Sequence, residues 1–134
     1  MRAVDNGEMT TNTPPLILIV DDSRMSRMLI KAIVADMRPE WQILEAASGD
    51  EAVAKCQEIA PDFVSMDVNM PGISGLEAAG RIRIRHPESR IALCTANIQE
   101  STREAAASVN LFFVAKPITP QSVSRAIDYF EGRA

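Results

Sequence analysis

The chain is poor in cysteine, has no long hydrophobic run and carries no excess of positive charge. Each shortage removes a class of protein. Two cysteines in 134 residues, Cys56 and Cys94, exclude a disulfide framework. Cys94 falls in an apolar run and Cys56 on an apolar helical stripe, so both read as small buried hydrophobes, in keeping with a reducing, cytoplasmic compartment. No apolar run approaches the ~20 residues of a membrane span. Met1 to Thr13 is polar and lacks the apolar segment of a secretory signal. A net charge of −4 argues against a direct nucleic-acid role, which usually shows a basic face. Neither a repeat nor a low-complexity block is present. The single histidine, His86, lies in Arg85-His86-Pro87 and reads as a solvated loop residue. The length suits one domain, and a chain of this size buries roughly 68% of its unfolded surface.

What is present is a regular alternation. Residues 1–15 are polar, end in Pro14-Pro15 and read as a disordered tail, leaving 16–134 as the folded domain. Four short apolar runs follow: Leu16–Val20, Phe63–Met66, Ile91–Cys94 and Phe112–Ala115. Without helical periodicity, such runs fit buried parallel strands. A further strand is expected at Gln42–Ala46.

Between the strands lie helical patterns. The first spans about Ser23 to Arg38, with a stripe of Met25, Met28, Leu29, Ala32 and Ile33, and ends before Pro39. Others open at Ser48, Ser74 and Ser101, each with a Glu three residues on, as in a capping box. The second carries Ala52, Val53, Cys56 and Ile59. The third runs to about Arg85, and its Arg81, Arg83 and Arg85 read as a solvated end near the favourable C-terminal dipole. Gly80 inside it costs about 1 kcal/mol of propensity relative to Ala. The last helix opens at Thr119-Pro120, with a stripe of Val123, Ala126, Ile127 and Phe130. The seven methionines are expected mostly to fill core gaps. Strand–helix alternation with short links implies a (βα)₅ α/β fold, a parallel sheet covered on both faces.

Each of five polar positions follows an apolar run: Asp21, Asp22, Asp67, Thr95 and Lys116. In an open α/β sheet, ligands bind beyond the carboxyl ends of the strands, so these side chains are expected in one crevice. Three carboxylates, a hydroxyl and an ammonium there suit a divalent metal and a phosphoryl group.

Four motifs carry a resemblance: Val20-Asp21-Asp22, Met66-Asp67-Val68-Asn69-Met70-Pro71-Gly72-Ile73-Ser74-Gly75, Cys94-Thr95-Ala96 and Ala115-Lys116-Pro117. Together, in order and each at a strand end, they resemble the receiver domain of bacterial response regulators, especially the stand-alone CheY-like type, over about residues 16–131. The resemblance implies a doubly wound, flavodoxin-like three-layer sandwich with strand order 2-1-3-4-5. It implies Asp67 as the phosphoacceptor. Asp22, Asp67 and the Asn69 carbonyl would hold Mg²⁺, with Asp21 acting through metal-bound water. Lys116 would neutralise phosphoryl oxygens, and Thr95 would hydrogen-bond one of them after transfer. It further implies a Lys116–Pro117 bond that is commonly cis and a switch in which Phe113 moves into space vacated by Thr95. The usual Gly-Ala before the last strand is Val109-Asn110 here, and Asn69 and Asn97 flank the attacking-water position that tunes aspartyl-phosphate lifetime.

The expected function is that of a signalling phosphoacceptor rather than an enzyme. A histidine kinase or histidine phosphotransfer protein would supply the phosphoryl group, docking on the first helix with Arg24 and Arg27. The face built from the helix opening at Ser101, the last strand and the last helix would report to a downstream protein. Chemotaxis, a phosphorelay shuttle and control of a separate enzyme are open, as are a monomer and a phosphorylation-linked dimer. Phosphatases that form an aspartyl-phosphate use an acid two residues after the nucleophile, where this chain has Asn69. A flavin site would want a Ser-, Thr- or Gly-rich phosphate loop where Asp21-Asp22 stands. The remaining alternative is a receiver fold that binds partners without phosphorylation.

Overall fold

A computed structural model describes residues 13–99 and 111–133. The order is β1 (Leu16–Val20), α1 (Arg24–Met37), β2 (Gln42–Ala46), α2 (Gly49–Lys55), β3 (Phe63–Asp67), α3 (Gly75–Arg85), β4 (Arg90–Thr95), β5 (Leu111–Ala115) and α4 (Pro120–Phe130). The helix expected from Ser101, and Val109-Asn110, lie outside the described residues, as does the segment before Thr13. The five strands form one parallel sheet of order β2-β1-β3-β4-β5, the doubly wound α/β fold expected.

Period-2 alternation divides the core into two layers. Leu18, Val20, Val64, Met66, Ile91 and Leu93 face one side, against Ala52, Ala78, Ala79 and Ile82 of α2 and α3. Ile17, Ile19, Ala92 and Val114 face the other, against Ile30 and Val34 of α1 and Val123, Ala126, Ile127 and Phe130 of α4. β1, β3 and β4 are buried on both faces, which is why they read as continuous apolar runs, whereas the edge strand β2 exposes Gln42 and Leu44. Trp41, Phe63 and Phe130 stack through the second layer, with centroids 4.9 and 4.8 Å apart.

Several expectations are corrected. On α1 the buried residues are Ile30 and Val34, whereas Met25, Met28 and Leu29 are 79%, 58% and 45% exposed. The helix carries two apolar series, and the neighbours decide which one is buried. Ile30 and Val34 seat on the sheet, while Arg27 is drawn inward by a carbonyl and a carboxylate. α2 ends at Lys55, with Cys56 as its buried C-cap. The caps of Ser48 and Ser74 accept from the N–H groups of Glu51 and Glu77. Their glutamates do not return the bond: Glu51 accepts from Ala47 N–H, and Glu77 pairs with Arg81 at 2.6 Å. The reciprocal box is at Thr119 and Ser122 instead. His86 is half-buried rather than solvated, its Nε2 2.6 Å from the Cys56 carbonyl. Arg85 and Arg83 donate to the carbonyls of Gln57 and Ser89. The end of α3 is thus fastened to the turn after α2 and to the loop before β4.

The chain end is tied down by charge. Arg38, capping α1, makes two hydrogen bonds to Glu131 at 2.7 and 2.8 Å. That pairing, aided by Arg133, holds the Glu131 carboxyl well below its ordinary 4.5, at about 2. A carboxylate of depressed pKa stabilises the fold above its unfolded value and loses that contribution as pH falls through the folded one. Denaturant titrations should therefore show stability falling between pH 4.5 and about 2, and Glu131→Gln should remove about 1 kcal/mol at neutral pH. Gly80 is exposed within α3, and a Cβ built on it meets nothing. Gly80→Ala should raise unfolding stability by about 1 kcal/mol; an unchanged denaturation midpoint would count against the propensity argument.

Candidate functional site

The sheet reverses its winding between β1 and β3, its two inner neighbours, so a crevice opens beyond their carboxyl ends. Asp21 follows β1 directly and Asp67 is the last residue of β3. Both are buried, at 2% and 4% exposure, while Asp22 is exposed. Carboxylate oxygens of Asp21, Asp22 and Asp67 lie within 4.8 Å of one another. β5 brings the compensating charge: Lys116, just past its end, places Nζ 3.0 Å from Asp67 Oδ1.

Backbone geometry holds each acid. The N–H of Ser23 donates to Asp21 Oδ1 at 2.9 Å, and the N–H of Asn69 approaches Asp67 Oδ1 at 3.4 Å. The Lys116 N–H donates to the Thr95 carbonyl at 2.8 Å, which keeps the β4 and β5 exits in register. The Lys116–Pro117 bond is cis. The loop after Asp67 doubles back to α3, whose first residue packs on the β3 exit. A Cβ on Gly75 would overlap the Asp67 carbonyl, so only glycine fits there.

The electrostatics follow from crowding. Burial raises the Asp21 pKa; the Ser23 N–H pulls it back in part, and the Asp67 charge pushes it up again. Burial alone would lower the Lys116 pKa, but its hydrogen bond to Asp67 and the charges of Asp67 and Asp21 outweigh that and raise it. Cys94, paired with Asp67 across the β3–β4 ladder, has its thiol pushed up to about 11 by burial. It is therefore a protonated, inert thiol.

Thr95 is 1% exposed, and its Oγ1 accepts the Asn97 N–H at 3.1 Å. In the β4–β5 register Leu93 faces Phe113 and Thr95 faces Ala115. Phe113 is thus the diagonal neighbour of Thr95, on the same sheet face. It is half-buried against the layer containing Ile91 and Leu93. All five sequence-predicted polar positions sit at the strand exits, with Asn69 beside them. A small cavity of about 20 Å³ lies elsewhere, between the sheet and α1 and α4.

Sequence reasoning missed two residues. Gly75 is needed for the close approach of α3, and its only sequence signal is its place in the motif after Asp67. Arg27, expected at a docking face, instead donates to the Asp21 carbonyl at 2.7 Å. Its signal was position: it lies in the second turn of the helix that begins just after the acidic pair.

The arrangement can gather a hard cation on carboxylate oxygens and offer an anionic nucleophile beside a fixed ammonium. Comparison with known proteins places the chain in a family. The profile of the response regulator receiver domain matches residues 17–128. The chain is 36% identical over 113 residues to the chemotaxis protein CheY of Listeria monocytogenes, covering 84% of this chain and 94% of that protein. It is 37% identical over 113 residues to CheY of Bacillus subtilis, covering 84% and 93%. The solved structure of Vibrio cholerae CheY4 superposes with a TM-score of 0.78 at 27% identity, covering 87% of this chain and 98% of that one. Motifs, fold and relatives converge: this chain belongs to the response regulator receiver domain family and is CheY-like.

Proposed function

We propose that this receiver domain accepts a phosphoryl group on Asp67 from a phosphohistidine of a histidine kinase or phosphotransfer protein, in a Mg²⁺-dependent reaction. The observation that carries this reading is the Lys116 Nζ–Asp67 Oδ1 contact of 3.0 Å beside the three-carboxylate cluster. A carboxylate oxygen of Asp67 forms the new P–O bond as the donor's P–N bond breaks. Lys116 is placed to neutralise the transferred phosphoryl oxygens.

The donor set fits the ion. Carboxylate and carbonyl oxygens are what Mg²⁺ takes, usually one or two carboxylates with waters and a phosphate. Asp22, Asp67 and the Asn69 carbonyl would hold it, with Asp21 acting through water. Bound there, Mg²⁺ supplies positive charge for the phosphoryl group. Phosphorylation adds about −1.5 to −2 charge and three acceptor oxygens. Thr95 is drawn toward them, and Phe113, its diagonal neighbour, turns into the space released. The surface around β5 and α4 changes with it, a two-state shift biased by one modification.

The donor docks on α1, where Met25, Met28 and Leu29 are exposed apolar groups and Arg24 is exposed beside them. The output is contact with a downstream protein, with a chemotaxis target one candidate. No helix among the described residues is long and apolar enough to cross a membrane, and we place the protein in the cytoplasm. Asn69, in the position of an aspartyl phosphatase's second acid, offers no general acid, which favours a signalling phosphoacceptor over a phosphatase.

Incubation with acetyl phosphate, read by intact mass, should show one added phosphoryl group that requires Mg²⁺ and is absent in folded Asp67→Asn. Incorporation at the wild-type level in that variant would remove Asp67 from its role. No gain of mass together with no Mg²⁺ binding would favour the phosphorylation-independent binding module.

Metal affinity carries a pH signature. The Asp21 pKa is raised, so protons compete for the cluster at a higher pH than for an ordinary aspartate. Mg²⁺ titrations at descending pH should lose affinity above the usual aspartate value of 3.8. Asp22→Ala should bind Mg²⁺ more weakly at every pH.

A further inference from the structure

The acidic pair is aimed by its backbone. Asp22 is exposed, and among the described residues no side-chain hydrogen bond or ion pair holds its carboxylate. Its direction is therefore inherited from the peptide unit joining it to Asp21. That unit is gripped from behind through its carbonyl. On the preceding unit, the Asp21 N–H donates to the Ala46 carbonyl at 3.2 Å. The Asp21 carbonyl accepts from Arg27 Nη1 at 2.7 Å.

Arg27 is itself braced. Its Nε donates to Glu45 Oε1 at 3.1 Å, and its side chain is only 15% exposed. Glu45 also accepts from Lys31 Nζ at 3.2 Å through its other oxygen. One planar guanidinium thus spans a carboxylate on β2 and the carbonyl between the two acids. A lysine ammonium is a point charge on a flexible stem and lacks that rigid fork.

We propose that Arg27 is a positioning residue of the metal site, fixing the Asp21–Asp22 peptide plane so that the Asp22 carboxylate faces Asp21 and Asp67. It touches neither metal nor phosphoryl group. It acts through a backbone carbonyl, as outer partners of metal ligands do. The inference rests on the proposed Mg²⁺ site and adds a residue to it.

The test is calorimetric Mg²⁺ titration of the unphosphorylated protein, with thermal melts to establish folding. Arg27→Gln should bind about tenfold more weakly, the lower end of what outer-partner mutations cost. Arg27→Lys keeps the charge and the stem but not the fork, and should remain severalfold weakened. Lys31→Gln removes a charge from the same Glu45 without touching Asp21, and should stay within about twofold of wild type. In the metal-free protein, amide exchange at Ser23, whose N–H reports the Asp21 loop, should speed up in the Arg27 variants and not in Lys31→Gln. Wild-type affinity in folded Arg27→Gln overturns the proposal. Should that variant not fold, wild-type affinity in Arg27→Lys does the same, and so does an equal loss in Lys31→Gln, which would reduce the effect to net charge. If wild type binds no Mg²⁺, or Asp22→Ala binds as well as wild type, the metal site itself fails and the proposal with it.

Discussion

Three carboxylates with oxygens inside 4.8 Å repel one another, and much of this structure serves to hold them there. Two unit charges ~4 Å apart repel by about 4 kcal/mol at an effective dielectric near 20. Asp21 and Asp67 are buried, which removes much of the relief that water would give. Lys116 supplies the local compensation and is held to Asp67 at 3.0 Å. Burial is the main reason that the Asp21 pKa is raised, and the Asp67 charge adds to it. Such a cluster could hold a cation, which would remove the repulsion that the fold otherwise bears.

The doubly wound sheet suits this task. Its inner strands β1, β3 and β4 are buried on both faces, which fixes their exits. The reversal between β1 and β3 leaves their carboxyl ends without a crossover helix above them, and there Asp21 and Asp67 meet. β4 and β5 add Thr95 and Lys116 from the same edge, locked by the Lys116 N–H to Thr95 carbonyl bond. Close packing of α3 through Gly75 then keeps the β3 exit tight. The charged elements at a distance play a different part. Arg38 and Glu131 clamp α1 to the end of α4, and His86 with Arg85 ties α3 to the turn after α2. These contacts hold the helices on the sheet rather than tune the site.

α1 shows how one element divides its surface between fold and function. Ile30 and Val34 belong to the core. Arg27 belongs to the acid loop and β2. Met25, Met28 and Leu29 are exposed apolar side chains grouped on one helix, with no packing role among the described residues.

Much of this could be read from the linear chain. The strands were legible within a residue, the inner ones because a strand buried on both faces must be apolar throughout. The polar residues at their ends were legible because a (βα)₅ alternation sends every strand exit to one edge. Which apolar series of α1 is buried was not legible. Met25, Met28 and Leu29 match a helical period as well as Ile30 and Val34 do, and only the sheet and α4 break the tie. Ser48 and Ser74 cap their helices as expected, but the return half of each box was not legible: Glu51 accepts from Ala47 N–H and Glu77 pairs with Arg81, choices made by side-chain geometry. Arg27 was read as a surface charge because nothing in the sequence places β2's Glu45 and the Asp21 carbonyl beside it. The sequence by itself determined the fold class and which polar residues stand at the strand exits, since both follow from local periodicity and residue type. The tertiary structure decided which groups face one another, since contacts between β1, α1 and β2 are set by packing across the chain.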